Sequence, residues 1–401
     1  MREIVLAAAL ALSASAVPLG PTTAPHTSAA ADAEWSVALS TVDGDDVAVE
    51  ATASDGLRLA KNNVRAASAD APERHGMLVA APHDLGRPSD LVTAEVDADL
   101  PPGTEVLVDV RGRRADRTWS EWTPAGARLA EPTTVVQARI VLTGADGTTS
   151  PHVRAITLTA SPTTNGPSRD DAPLQARVFA TREGLVGRTT ANGHVIVERD
   201  HFVALPSRRG LSAKDDGEYT AQVCATDGRC AWAPVWDVGP WNTKDDYWNP
   251  AGVRQMWTDL PRGTPQAQAA NQNGYNGGLD QYGRQVRNPA GIDLADGTFW
   301  DALDLTTNAW VTVRYLWTGT GGRTGTVVAE GLALDVRDGP NTTHPPVGMA
   351  GNHARVLVEC QVAGEQVTGT QGSSDRWLRI AADRFVPRAF VAIDDPVPDC
   401  S

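Results

Sequence analysis

Cys224 and Cys230 bracket the segment Ala-Thr-Asp-Gly-Arg, and that spacing constrains the local fold more tightly than any other stretch of the chain. Asp227-Gly228 is a hairpin-turn signal, because both residues tolerate the left-handed backbone that a tight reversal between twisted strands requires. The cysteines then face each other across a β-hairpin, a geometry suited to a disulfide. A zinc site is the rival reading, but no Cys-x-x-Cys or His-Glu-x-x-His spacing occurs, so neither a metal nor a cofactor is expected. The other two cysteines, Cys360 and Cys400, form a second disulfide if near neighbours pair. Four cysteines, an even number, fit an oxidising compartment.

Export is also suggested by the start of the chain. Met1-Arg2-Glu3 leads into the apolar run Ile4 to Ala16, and small residues follow, with Ala14-Ser15-Ala16 and Ser28-Ala29-Ala30 as cleavage candidates. Residues 1–32 read as a secretory signal peptide and leader, with a buried core helix as the alternative. No later segment is apolar for long enough to span a bilayer. The net charge of −14 opposes docking on nucleic acid, where affinity comes from lysine and arginine displacing counterions.

At 401 residues the chain exceeds one small core, and its pattern is mainly β. Residues 33–160 contain strand-like runs at 106–110, 136–142 and 156–158 separated by turn clusters, which predicts a β-sandwich. Trp119 and Trp122 in this part line a sugar surface on one reading and pack into the core on the other. Residues 161–173 and 318–329 have linker composition. A helix is read from Ala290 to Leu303, with Phe299, Trp300 and Leu303 on one face.

Between the linkers, several short motifs occur in a telling order. Thr190-Ala-Asn-Gly193 is a turn, Val203-Ala-Leu-Pro206 a strand with a proline stop, and Gly228-Arg229 lies in the hairpin. Asp237-Val-Gly-Pro240 and Ile292-Asp-Leu294 follow. In this order they resemble the double-psi β-barrel of the rare lipoprotein A and expansin type, over roughly a third of the chain. The resemblance implies a barrel at 174–317, with 242–290 as an insertion forming a lid or extra groove wall. Lytic members carry a catalytic glutamate after the Thr-Ala-x-Gly turn, where this chain has His194. Farther on, Leu334-Asp-Val-Arg-Asp-Gly-Pro-Asn-Thr-Thr343, Ser374 to Ile380 and Phe385-Val386 to Phe390-Val391 resemble a bacterial SH3-type domain over residues 330–401.

Asp237 is the leading site residue. Two readings stand: a general acid or base whose pKa is raised beside Trp236 and Trp241, or a structural acid accepting backbone N–H groups at the Gly-Pro turn. Glycosidases need two placed carboxyls, and Asp293, Asp245 and Glu198 are candidates for the second, with Asp293 also fitting a helix cap. His194 and His201 are candidates for a proton relay or a ligand pair, with ordinary packing or surface positions as the alternative. Eight of the twelve tryptophans lie between Trp232 and Trp317, part of them necessarily core. Trp236, Trp241, Tyr247 and Trp248 are the candidate sugar-binding aromatics, the last three expected to be exposed.

These readings converge on a secreted, monomeric, cell-wall-associated protein whose partner is peptidoglycan or another wall polysaccharide. With the family glutamate missing, holding or remodelling glycan strands is favoured. A lytic transglycosylase or hydrolase using Asp237 is one alternative, and a secreted protease inhibitor or interaction protein is another.

Overall fold

The computed structural model describes residues 33–52, 54, 56–61, 74–144, 149–162, 172–320 and 322–401. The leader and most of the first linker lie outside these residues. Within them the chain is mainly β.

The N-terminal part, Ala33–Pro162, is a hydrogen-bonded network of nine strands, and the three predicted runs fall within its strands Glu105–Gly112, Arg128–Gly144 and His152–Pro162. Period-two alternation explains its core. Ile156, Leu158 and Ala160 turn inward at alternate positions onto Leu57, Val92, Ile140 and Leu142, and Val153 joins them from beyond a register shift, while Arg154 faces outward to Asp97 and Asp99.

Six strands then close a barrel: β1 (Gln175–Arg182), β2 (Val203–Leu205), β3 (Thr220–Cys224), β4 (Cys230–Val238), β5 (Ala290–Leu294) and β6 (Ala309–Tyr315). β1 pairs with β5 and β2 with β4 in parallel; the β1–β6, β6–β3, β3–β4 and β2–β5 pairs are antiparallel and complete the ring. The Cys224–Cys230 disulfide bridges β3 and β4 across the expected turn.

β4 is buried along its whole length, and its alternation shows why. Ala231, Ala233 and Val235 enter the barrel core. Trp232 faces the other way, into a cluster with Val336, Val356 and Leu378 from the C-terminal part. That part is joined to the barrel by backbone pairing of Cys230–Trp232 with Gly348–Ala350. Gly348 permits this approach, since its φ is 155° and a Cβ there would overlap the Cys230 carbonyl oxygen.

Two sequence readings change here. The segment 318–329, read as a linker, holds the strand Arg323–Val327, which pairs with Arg355–Val358 and Val391–Ala392 and buries Val327. Its Gly-Thr composition mimics a linker, yet Gly325 is needed where Val391 packs close. The region from Ala290 to Leu303 is the strand β5 followed by one π-helical turn at Thr298–Ala302, capped by no side chain. Asp293 is therefore a strand residue and does not cap that turn.

Cys360 and Cys400 are also joined, closing a 40-residue separation. Replacing both with serine is expected to cost about 2–4 kcal/mol, mainly by freeing the unfolded chain. Urea unfolding of both proteins under non-reducing conditions checks this; coincident midpoints would refute it.

Candidate functional site

A slip in strand register places the leading acid. β4 pairs with β2 as Val203 to Val235 and then Ala204 to Asp237, so Trp236 is an extra residue in the ladder. Simple alternation would send Asp237 after Ala231, Ala233 and Val235 into the core. The irregularity instead sets it opposite Ala204, which is also the partner of Asp293 on β5. Asp293 in turn lies opposite Thr181 on β1 and accepts a hydrogen bond from the Thr181 hydroxyl. The two acids thus share one row, on the strands either side of β2.

A third carboxyl completes the group. Glu183 directly follows β1, held by its backbone N–H donating to Leu294 O at 2.9 Å, and its side chain is hydrogen-bonded to Asp237. Asp237 is 1% exposed, and its Oδ1 accepts the N–H groups of Ala191 and Val238, both at 2.8 Å. Among the described residues, Glu183 Oε2 is buried with no hydrogen-bond partner.

The electrostatics separate the pair. Burial raises the pKa of both carboxyls, but Glu183 is raised further, because the charges of Asp237, Asp293 and Asp200 oppose its ionisation. Asp237 is favoured as the anion by the hydrogen bond from Glu183, the two backbone donors and the Arg208 guanidinium. Of the two coupled carboxyls, Glu183 is thus the one whose protonated form is favoured more.

His194 stands near this group but is committed elsewhere. Its Nε2 lies 2.6 Å from Asp200 Oδ2, and its ring packs 4.5 Å from that of Trp236. His201 is buried, and desolvation pulls its pKa down to about 4, so it is neutral near pH 7 and does not form a charged relay. Among the described residues, no three His, Cys, Asp or Glu side chains are arranged to hold a metal ion.

The predicted aromatic platform is corrected. Tyr247 and Trp248 are fully buried: the Tyr247 hydroxyl donates to Gly291 O at 2.8 Å, and the Trp248 indole donates to Glu121. Both sit in the core with Tyr315 and Trp317, a low-dielectric place where each polar edge needs a partner. Trp236 is also buried, its N–H donating to Asp216 O at 2.8 Å. Trp241 is half-buried against Ala267, Ala270 and Val286, with its N–H donating to Asn288. The insertion supplying Tyr247 and Trp248 is hence a packed wedge along this stretch rather than a lid. Trp122 is likewise core, under the guanidiniums of Arg111 and Arg139.

Of the candidates for a second carboxyl, the structure brings Asp293 to Asp237. Asp245 is fully buried elsewhere, bound to Arg254 at 2.5 Å and to the Gln266 N–H, and Glu198 is exposed on its loop. Glu183 escaped the sequence reading because it belongs to no motif. The available signal was an acid at a strand end directly before a glycine.

A family model described as "Domain of unknown function (DUF8814)" matches residues 174–314, the span of the barrel and its insertion. No curated protein and no solved structure matches the chain.

Proposed function

We propose that the barrel processes a glycan strand of the cell wall, with Glu183 as the general acid. The observation that carries this reading is a pair of facing carboxyls, Glu183 and Asp237, in which burial and the surrounding acids favour the protonated form of Glu183 more strongly than that of Asp237. Such an acid is poised to protonate a glycosidic oxygen. Asp237 keeps the proton on Glu183. Asp293, half-buried and oriented by Thr181, is the carboxylate that supports positive charge developing on the sugar or activates a water.

The wider reading rests on several supports. A closed six-stranded ring with two parallel pairs, carrying the five ordered motifs, fits a double-psi barrel. The antiparallel network of residues 33–162 suits a sandwich, and the small strands after residue 330 suit an SH3-type domain that retains the protein, as a monomer, on peptidoglycan. Two disulfides favour an extracellular setting, and no helix among the described residues is long and apolar enough to cross a membrane. The second carboxyl now turns the preference from holding toward cutting.

Incubating the protein and Asp237→Asn with isolated sacculi, followed by mass analysis of released fragments, tests the proposal. Soluble muropeptides from the native protein, strongly reduced with Asp237→Asn, are expected. Anhydro ends would indicate lytic transglycosylation and reducing ends hydrolysis. Retention on sacculi without release would leave a binding protein, and protease inhibition with neither would favour the interaction-protein alternative.

A further inference from the structure

A cavity of about 420 Å³ lies between the loop at 114–118 and the sheet formed by Arg323–Val327, Arg355–Val358 and Val391–Ala392, and it shares no residue with the carboxyl site. Strand alternation supplies part of its lining. Thr324 and Thr326 sit at alternate positions of their strand, and Thr326 is paired with Arg355 on one side and Ala392 on the other, so these side chains share one face of the sheet. The loop supplies a second part, folded into a turn in which the Arg117 N–H donates to Arg114 O at 3.0 Å. Asp116 pins that turn by accepting the Thr118 N–H and hydroxyl at 2.9 and 2.6 Å. Asp394 and Asp395 supply a third part, anchored between the paired strand Val391–Ala392 and the Pro396 carbonyl, which accepts from Arg323 Nε at 2.7 Å.

Several of these groups keep unused bonding capacity. Among the described residues, the side chains of Arg117, Asp394 and Asp395 make no hydrogen bond or ion pair, and neither do the hydroxyls of Thr324 and Thr326. Arg355 has one long contact, Nη2 to Asp216 Oδ1 at 3.6 Å, and its Nε is buried with no partner. Charges of both signs therefore line one space without neutralising each other. A bare anion drawn to the guanidiniums meets the field of two aspartates, and a bare cation drawn to the aspartates meets that of two arginines. A guest that carries both charges satisfies both sets.

We propose that this cavity binds a short peptide with a free ammonium and a free carboxylate. The carboxylate meets Arg117 and Arg355, whose planar forks match its two acceptor oxygens; the ammonium meets Asp394 and Asp395; the amide between them meets the hydroxyls of Thr324 and Thr326. The volume lies in the range of small-ligand sites. The assignment is independent of the glycan chemistry proposed for the barrel.

Calorimetric titration of the full chain tests it by comparing alanyl-alanine with its N-acetylated form, which lacks the ammonium, and its C-terminal amide, which lacks the carboxylate. Saturable binding of the free dipeptide is expected, with each blocked form at least about tenfold weaker, because each loses one set of charge-assisted hydrogen bonds. Arg117→Gln is expected to erase the advantage of the free dipeptide over the amide. Asp394→Asn combined with Asp395→Asn is expected to erase its advantage over the acetylated form. All three positions are exposed, and the melting temperature should stay at the native value. Absence of binding overturns the proposal, as does discrimination that survives both sets of substitutions. An acetylated form that binds as tightly as the free dipeptide leaves a bare anion site, and an amide that does so leaves a bare cation site; either overturns the zwitterion assignment.

Discussion

Glu183→Gln is expected to reduce fragment release from sacculi by about 10²- to 10⁴-fold, the range set by losing a positioned general acid. Glutamine preserves the shape and the hydrogen bond donated toward Asp237, so the fold should persist. Stability adds a readout that does not require activity. In the folded chain Glu183 holds its proton well above its ordinary value of 4.5, because burial and the neighbouring carboxylates penalise the anion. From about pH 4.5 up to the folded-state pKa, the native state keeps a proton that the unfolded state releases. Its contribution to stability is fully present below that window and is lost as pH rises through it. Glu183→Gln removes this dependence. Urea unfolding across that range should show native stability falling with pH more steeply than that of the variant. Parallel pH profiles would refute the protonated state of Glu183, and unchanged release would refute its catalytic role.

Trp248→Ala is expected to destabilise the protein by about 3–5 kcal/mol, the cost of emptying an aromatic site in a packed core. Trp248 stacks on Tyr315 at 5.5 Å and meets Tyr247 and Trp317 edge-on at 5.4 and 5.8 Å. Deletion also removes one of three donors from Glu121. Urea unfolding measures the effect. A variant of native stability that had lost only glycan binding would restore Trp248 to the surface role that its neighbourhood of polar residues suggested.

The contrast between Asp237 and Trp248 shows what kind of information was legible. Asp237 stood out because an acid, a Gly-Pro turn and flanking indoles are local features. Trp248 was misread because Asp245, Asp246 and Asn249 beside it resemble a solvated loop. Asp245 and Asp246 are in fact fully buried, neutralised by Arg254 and Arg209, and so travel into the interior with the aromatics. Burial of paired charges depends on where the partner lies in space, and Arg209 is 37 residues away along the chain.

By itself, the order of residues determined the β character, the Cys224–Cys230 hairpin and the motif order along the central region, because turn chemistry and period-two alternation act over a few residues. Only the tertiary structure decided that the register slips at Trp236, bringing Asp237 into line with Asp293, and that Glu183 at the end of another strand faces it. Parallel strand pairing joins segments with no sequence signal for one another; register and proton position emerge once the ring has closed.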